Sequence, residues 1–167
     1  MSEAEIILDQ ESKIYLTADG YSALKAELAK LTGETRAEIA NRIRESQQHG
    51  EFSEDNSELD QVKTEQAFVE NRIGELRSIL SHAAELDPET IPTDHVGLGS
   101  VVKIEDLSYG DTFEVRVVSS VEADPDKEFL SSESPMGTAL YGHSEGDTIN
   151  FESPDGMKKI KIHRITR

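Results

Sequence analysis

Two narrow stripes of apolar residues constrain the fold of this chain most strongly. No Pro occurs between residues 17 and 86, and the apolar residues there recur three or four positions apart, which predicts helix. The first stripe contains Tyr21, Leu24, Leu28, Leu31, Thr35, Ile39 and Ile43. The second stripe contains Leu59, Val62, Gln66, Val69, Ile73, Leu76, Leu80 and Ala83. Each stripe is too narrow for a globular core, so the two helices are predicted to bury each other in an antiparallel coiled-coil hairpin.

The ends and the turn of this hairpin also have sequence signals. Thr17 is the predicted N-cap of the first helix, and Gln66 is predicted to set the register of the seam. Gly50 lies between the two stripes and is the predicted turn, because Gly enters left-handed backbone freely. Each arm of about 30 residues would be about 45 Å long.

Residues 50–60 form a predicted acidic tip at this turn. The tip contains Glu51, Glu54, Asp55, Glu58 and Asp60, with no Lys or Arg among them. Like charges this close repel one another and lower stability, which favours a functional reason for keeping them. The simpler alternative is that exposed turns are often charged. The apolar Phe52 within the acidic run favours function, since it suggests a surface that docks against something.

The spacing of the tip acids predicts an incomplete metal site. Glu51 with Glu54 or Asp55 can reach one divalent cation from one side. Mg²⁺ is typically held by one or two carboxylates, with phosphates and waters as the other ligands. The remaining ligands would therefore come from a partner or a substrate.

The second half of the chain has the pattern of a small β domain. Asp87-Pro88 and Ile91-Pro92 end the helix and predict a linker over residues 87–96. Beyond it, short alternating runs predict four strands at Ser100–Ile104, Phe113–Val118, Thr148–Phe151 and Lys159–Ile165. Ser134 and Pro135 predict the start of one short helix packed on an antiparallel sheet.

The fold class is therefore α+β. The predicted domains are an acidic N-terminal extension at residues 1–13, the coiled-coil hairpin at 14–86, the linker at 87–96 and the β domain at 97–167.

The amino-acid composition limits the classes of partner and chemistry that this chain can have. The formal net charge is −17, which argues against broad binding to duplex nucleic acid. The acid is concentrated in residues 1–96, which carry 9 Lys and Arg against 21 Asp and Glu, so a basic protein surface or a metal cation is the better partner. There is no Cys, which excludes thiolate chemistry. No apolar run is long enough for a membrane helix and residues 1–11 lack signal-peptide features, so the expected location is the cytoplasm.

At this point specific motifs suggest a family. The run from Gly50 to Asp60 and the run from Lys63 to Ile73 resemble the tip and second arm of the bacterial transcript-cleavage factors GreA and GreB. Leu16-Thr17 with Gly20-Tyr21 resembles the opening of that family. Ser134-Pro135 with Ala139-Leu140 resembles the signature of its C-terminal domain, which has an FKBP-like fold. The resemblance covers about residues 14–165 and is closest to GreA.

The resemblance implies a function and its partners. Members of this family bind RNA polymerase through the C-terminal domain and insert the coiled coil into the secondary channel. There the tip carboxylates help to hold a Mg²⁺ ion shared with the polymerase, and the 3′ end of backtracked nascent RNA is cut. The factor is then not an enzyme on its own and has no cofactor of its own, because it stimulates hydrolysis by the polymerase.

The resemblance also assigns residues. Glu51 falls on the family's first tip acid, where Asp is usual, and the second falls on Glu54 or Asp55 because this chain has one extra residue. Lys63 matches a basic position that contacts the extruded RNA. A second basic position falls on Gln47, for which Arg44 can substitute. Polymerase binding is assigned to Ser134, Pro135 and Leu140.

Two alternatives stay open at this stage. One is a polymerase binder of the same family that lacks cleavage stimulation and acts as an inhibitor or regulator. The other is a coiled-coil adaptor with no role in transcription, against which the Ser-Pro and Ala-Leu motif argues. A monomer is expected, because the hairpin satisfies its own apolar seam.

Overall fold

The computed structural model describes residues 13–49 and 57–167. The chain divides into two compact units, one built from Tyr21–Ala83 and the other from Ile14–Gly20 together with Ala84–Arg167. The second unit therefore contains two separate segments of the chain. Each unit is described on its own.

The first unit is a helical hairpin, as predicted. Helix α1 (Ala18–Lys30) leads through a π-helical segment (Leu31–Thr35) directly into α2 (Arg36–His49), and α3 (Ser57–His82) forms the second arm. The predicted N-cap is confirmed, because the Thr17 hydroxyl accepts a hydrogen bond from the Gly20 N–H at 3.1 Å.

Packing and ion pairs establish that the arms are antiparallel. Arg36 pairs with Glu70 and Arg42 with Glu65, so residue numbers rise along one arm as they fall along the other. The seam between these exposed pairs is mainly apolar: its buried apolar side chains are Leu24, Ile39, Val62, Ile73 and Leu76, and the polar Ser46 of α2 is also buried. As the narrow stripes predicted, burial is limited to one face of each arm.

Two details of the predicted second stripe are wrong. The side chain of Gln66 is exposed and does not lie in the seam. An amide keeps its hydrogen bonds in water, whereas burial without a partner costs free energy. Ala83 is not helical, because α3 ends at His82 and Ala83–Glu85 form strand β2.

The π-helical segment was not predicted, and it explains the spacing of the first stripe. Leu31, Thr35, Ile39 and Ile43 follow one another in steps of four, one residue more than an alternation of threes and fours allows. One residue corresponds to about 100° of rotation in an α-helix. The wider turn of the π segment absorbs this extra residue and keeps Ile39 facing α3, where it is 3% exposed.

Short strands join the two ends of the hairpin. Strand β1 (Ile14–Leu16) pairs with β2 (Ala83–Glu85) in a two-stranded sheet. Next to it the Leu86 N–H donates to the Leu16 carbonyl oxygen at 2.7 Å, and the Leu16 side chain is fully buried. Residues 14–16 and 83–85, predicted as part of the hairpin domain, are therefore extended.

The second unit is a five-stranded sheet with one short helix. Its strands are β3 (Val101–Asp106), β4 (Thr112–Val118), β5 (Phe129–Ser131), β6 (Thr148–Ser153) and β7 (Gly156–Thr166), in the order β5-β4-β3-β7-β6. The four predicted strands are confirmed with small shifts at their ends. The sheet is not wholly antiparallel, since the unpredicted β5 runs parallel to β4.

One face of this sheet carries the core. The buried side chains come from alternate positions of the strands, as a sheet covered on one face requires, from α4 (Pro135–Leu140), and from the segment before β3. They are Val96, Val102, Ile104, Val117, Leu140, Ile149, Phe151, Ile160, Ile162 and Ile165. The predicted short helix is confirmed, with Ser134 as its N-cap and Pro135 in its first turn.

Candidate functional site

The predicted metal ligands lie outside the described residues. Glu51, Glu54 and Asp55 belong to residues 50–56, which link the end of α2 to the start of α3. Their role stays a prediction. Within residues 13–49 and 57–167 there is no group of three or more His, Asp or Glu that could hold a metal ion.

Arg44 and Lys63, the predicted RNA contacts, lie at the same level of the hairpin. Arg42 pairs with Glu65 at 2.7 Å, and Arg44 and Lys63 follow two residues closer to the tip on their respective arms. Both side chains are exposed, and in the described part of the chain neither forms a salt bridge. Arg44 donates to the neutral side-chain oxygen of Asn41. Two positive charges are thus presented next to the acidic tip.

Two arginines on the arms, Arg36 and Arg72, each contact both carboxylate oxygens of an acid on the opposite arm. The Arg36 guanidinium contacts both carboxylate oxygens of Glu70, at 2.8 and 2.7 Å, and these hydrogen bonds lower the pKa of Glu70. Arg72 contacts both oxygens of Glu27, at 2.7 and 3.0 Å, and one oxygen of Glu75 at 2.8 Å. These cations hold the arms together, which distinguishes them from Arg44 and Lys63.

The predicted polymerase-binding residues lie in one loop and helix of the second unit. The Ser134 hydroxyl donates to the Ser131 carbonyl at 2.7 Å and accepts from the Gly137 N–H at 3.0 Å, so it fixes both the loop and the helix. Pro135 is exposed beside it. Gly137 leaves no room for a side chain, because an added Cβ would overlap the Ser131 carbonyl group.

Leu140 needs a correction. Its side chain is fully buried in the core, so in this structure it cannot contact a partner directly. An apolar side chain gains about 1.5–3 kcal/mol from such burial, which explains why it points inward. Leu140 packs in the core behind the loop. It would affect binding by holding the neighbouring residues of the loop in position.

The sequence missed an apolar cleft beside this loop. Leu98 and Tyr141 line two adjoining cavities in the second unit, one of about 540 Å³ with Ser132 and Thr138, and one of about 480 Å³ that extends to Tyr15. Tyr141 is 51% exposed and Tyr15 is 42% exposed. Exposed aromatic side chains around a cleft are typical of protein contact sites. In the sequence, the feature that pointed to this cleft was Tyr141, which directly follows the Ala139-Leu140 motif.

These features define a two-unit binding factor, in which an ion-paired helical hairpin is joined to a sheet domain with an exposed loop and cleft. No helix in the described part of the chain is long and apolar enough to cross a membrane.

Comparison with known proteins establishes the family. The family model for the N-terminal domain of GreA/GreB transcription elongation factors matches residues 14–84, and the model for their C-terminal domain matches residues 91–167. The chain belongs to the GreA/GreB family of transcription elongation factors.

Individual relatives agree along nearly the whole length. The chain is 43% identical over 157 residues to transcription elongation factor GreA of Alkaliphilus oremlandii, covering 94% of this chain and 98% of the relative. It is 43% identical over 154 residues to GreA of Caldanaerobacter subterraneus, covering 92% and 98%. Among solved structures, GreA factor homolog 1 of Thermus thermophilus is 34% identical, with 93% of this chain and 99% of that chain covered and a TM-score of 0.43.

Proposed function

We propose that this elongation factor binds bacterial RNA polymerase, inserts its helical hairpin into the secondary channel and stimulates cleavage of the 3′ end of backtracked nascent RNA. The observation that carries the proposal is the pair Arg44 and Lys63, which is exposed at one level of the hairpin next to the acidic tip. Positive charge at this point suits the phosphates of an extruded RNA, whereas Arg36, Arg42 and Arg72 on the same arms are paired with acids.

Glu51 with Glu54 or Asp55 would supply carboxylate ligands to a Mg²⁺ ion that the polymerase also holds. Two carboxylates suit Mg²⁺, which needs further oxygen ligands from elsewhere. When bound, the ion activates a water for phosphodiester hydrolysis. Arg44 and Lys63 bind and orient the RNA, and the hairpin brings the tip to the reacting phosphate.

The sheet unit is the proposed polymerase-binding part. Ser134 and Pro135 present the loop, and the exposed Tyr141 with the half-buried Leu98 extends its surface into the cleft. We infer that the factor acts as a monomer in the cytoplasm, since the seam of the hairpin is buried within the chain itself.

Stalled, backtracked elongation complexes with labelled RNA test the proposal. Wild-type factor with Mg²⁺ is expected to shorten the RNA. The variant Glu51→Gln/Glu54→Gln/Asp55→Asn is expected to lose at least about 100-fold in cleavage rate while polymerase binding stays intact, because such ligands act only in the reaction. The matched control is Glu58→Gln/Asp60→Asn, which removes charge at the same tip but is expected to retain cleavage.

Each other outcome has a definite meaning. Polymerase binding without RNA shortening by the wild type would support a binder that lacks cleavage stimulation. Cleavage that survives the triple substitution would contradict the metal role of the tip. Lys63→Ala and Arg44→Ala should each weaken cleavage, and the loss should shrink as salt rises, because the contact is to phosphate.

A further inference from the structure

The carboxylate of Glu122 lies on the N-terminus of helix α1. It accepts a hydrogen bond from the Thr17 N–H at 2.9 Å and another from the Thr17 hydroxyl at 2.5 Å. The Thr17 hydroxyl oxygen in turn accepts from the Gly20 N–H. Glu122 is 105 residues from Thr17 in sequence, and both lie in the second unit, where this contact joins the segment Ile14–Gly20 to the part of the unit that contains the sheet.

The contact is chemically strong for a partly exposed site. The first N–H groups of a helix have no partner within it, and the helix dipole favours negative charge there. Hydrogen bonds to an ionised carboxylate are about twice as strong as neutral ones. Glu122 itself is fixed by its own turn, where its N–H donates to the Ser119 carbonyl at 3.0 Å, and by the hydroxyl contact between Ser120 and Ser131 at 3.1 Å.

Gly20 provides the space that this carboxylate occupies. A Cβ added to Gly20 would overlap the side chain of Glu122 from Cγ to Oε1, and its three nearest atoms all belong to Glu122. A helix interior otherwise disfavours Gly by about 1 kcal/mol relative to Ala. The absence of a side chain at this helical position is therefore explained by Glu122.

We propose that Glu122 is a positioning residue, which fixes the first turn of α1 and thereby sets the rate of transcript cleavage without contacting RNA or metal. This role rests on the proposed function. The physical reason is geometric: a small tilt at the start of the arm gives a large displacement at its far end. A tilt of about 5° moves a point about 45 Å away by about 4 Å. Hydrolysis is sensitive to misplacement of ligands by about 1 Å.

The first test uses the full chain with Glu122→Ala, Glu122→Gln and the control Glu114→Ala, an exposed acid of β4. Glu122→Ala is expected to lower the cleavage rate at saturating factor by roughly 3- to 10-fold, with the half-saturating concentration changed less than about twofold. Glu122→Gln should be intermediate, since its amide oxygen can still accept a hydrogen bond. The proposal would be overturned if the cleavage rate and the half-saturating concentration changed by the same factor. It would also be overturned if Glu114→Ala had an effect as large as that of Glu122→Ala.

A second measurement does not depend on the polymerase. The chain has no Cys, so paired spin labels can be placed at Gln61→Cys and Thr148→Cys, which are exposed positions of α3 and β6. Glu122→Ala should broaden the distance distribution between the labels, and Glu114→Ala should not. An unchanged distribution would overturn the positioning role. If the wild type failed to cleave RNA while the broadening occurred, the proposed function would fail and the positioning role would stand.

The Gly20→Ala substitution is expected to shift the thermal unfolding midpoint in opposite directions in the presence and absence of the Glu122 side chain. In the wild type it should lower the thermal unfolding midpoint, because the new methyl group displaces the carboxylate. In the Glu122→Ala background the obstacle is gone and Ala is the better helix former, so the same substitution should raise the midpoint. The same sign in both backgrounds would contradict the geometry on which the proposal depends.

Discussion

At the scale of single residues, Arg72 both joins the two arms and pairs with an acid on its own helix. Its guanidinium contacts Glu27 on the opposite arm and Glu75 on its own helix, with side chains 39%, 38% and 59% exposed. The hydrogen bonds from Arg72 lower the pKa of Glu27 from its ordinary value of 4.5, and they raise the pKa of Arg72. The contribution to stability must be discounted for solvent screening, because both groups of the cross-arm pair are more than one-third exposed.

The pH dependence of the Arg72–Glu27 pair follows from the direction in which the pKa of Glu27 is shifted. The folded pKa of Glu27 is below its unfolded value, so the unfolded chain binds the proton more tightly. The stabilisation is fully present above about pH 4.5 and is lost as the pH falls through the lower folded pKa. Arg72→Gln is therefore expected to lower the free energy of unfolding by about 0.5–1 kcal/mol at pH 7.

Urea unfolding at pH 7 and near pH 3 measures this difference. The gap between Arg72→Gln and the wild type should close at the acid end. Arg42→Gln, which loses a single exposed contact to Glu65, serves as the control with a smaller effect at pH 7. A gap that persisted unchanged in acid would mean that packing of the Arg72 stem, and not its charge, stabilises the hairpin.

The sequence predicted these residue roles unevenly. Caps could be assigned at Thr17 and Ser134 because their hydrogen bonds are local, and both are confirmed. The contact of Glu122 with Thr17 could not be predicted, since it depends on the fold of a segment 105 residues away. Leu140 was assigned to a surface from a motif, and only the packing of α4 shows that it is buried.

At the scale of elements, the π-helical segment sets the phase of the first arm. Deleting Gly33 should convert the wide turn to an α-helical one and keep Ile39 and Ile43 in the seam. Deleting Ala40 instead should rotate Ile43 by about 100° away from α3. Thermal unfolding is the measurement, with the Gly33 deletion expected at or above the wild-type midpoint and the Ala40 deletion at least about 5 °C below it.

The two deletions control for each other, because each shortens the arm by one residue. If the Gly33 deletion destabilised the hairpin as much as the Ala40 deletion, the π segment would not be the place where the extra residue is absorbed. The steps of four from Leu31 to Ile43 were the sequence signal for this segment, which a regular helical pattern obscures.

The strands that escaped prediction are all three residues long. β5 pairs in parallel with β4, and β1 pairs with β2, which is distant in sequence. Three residues are too few for an alternating pattern to be recognised. By contrast, β6 and β7 are joined by a tight turn whose Ser-Pro-Asp-Gly composition is typical of hairpins, and its Gly156 has a φ of +116° that favours Gly.

At the scale of the whole molecule, the two units separate binding from stimulation in the proposed function. The variant Glu51→Gln/Glu54→Gln/Asp55→Asn should therefore compete with the wild type. Added in equal amount to backtracked complexes, it is expected to lower wild-type cleavage by about half when factor exceeds polymerase, because both occupy the same site with equal affinity.

A second, matched competitor tests whether the sheet unit provides the binding. The same triple variant with Leu98→Ala and Tyr141→Ala should compete poorly, because the cleft beside the Ser134 loop is altered. Absence of competition by the first variant would mean that the tip acids contribute to binding as well.

The pairing of β1 with β2 has a consequence for how this architecture can vary. The chain leaves the second unit after Gly20 and returns to it at Ala84, so in topological terms the hairpin is an insertion into that unit. Adding or removing whole heptads from both arms together leaves the two entry strands, the Thr17 cap and the sheet unchanged. The reach of the arm is thus free to evolve independently of the surface that holds the partner.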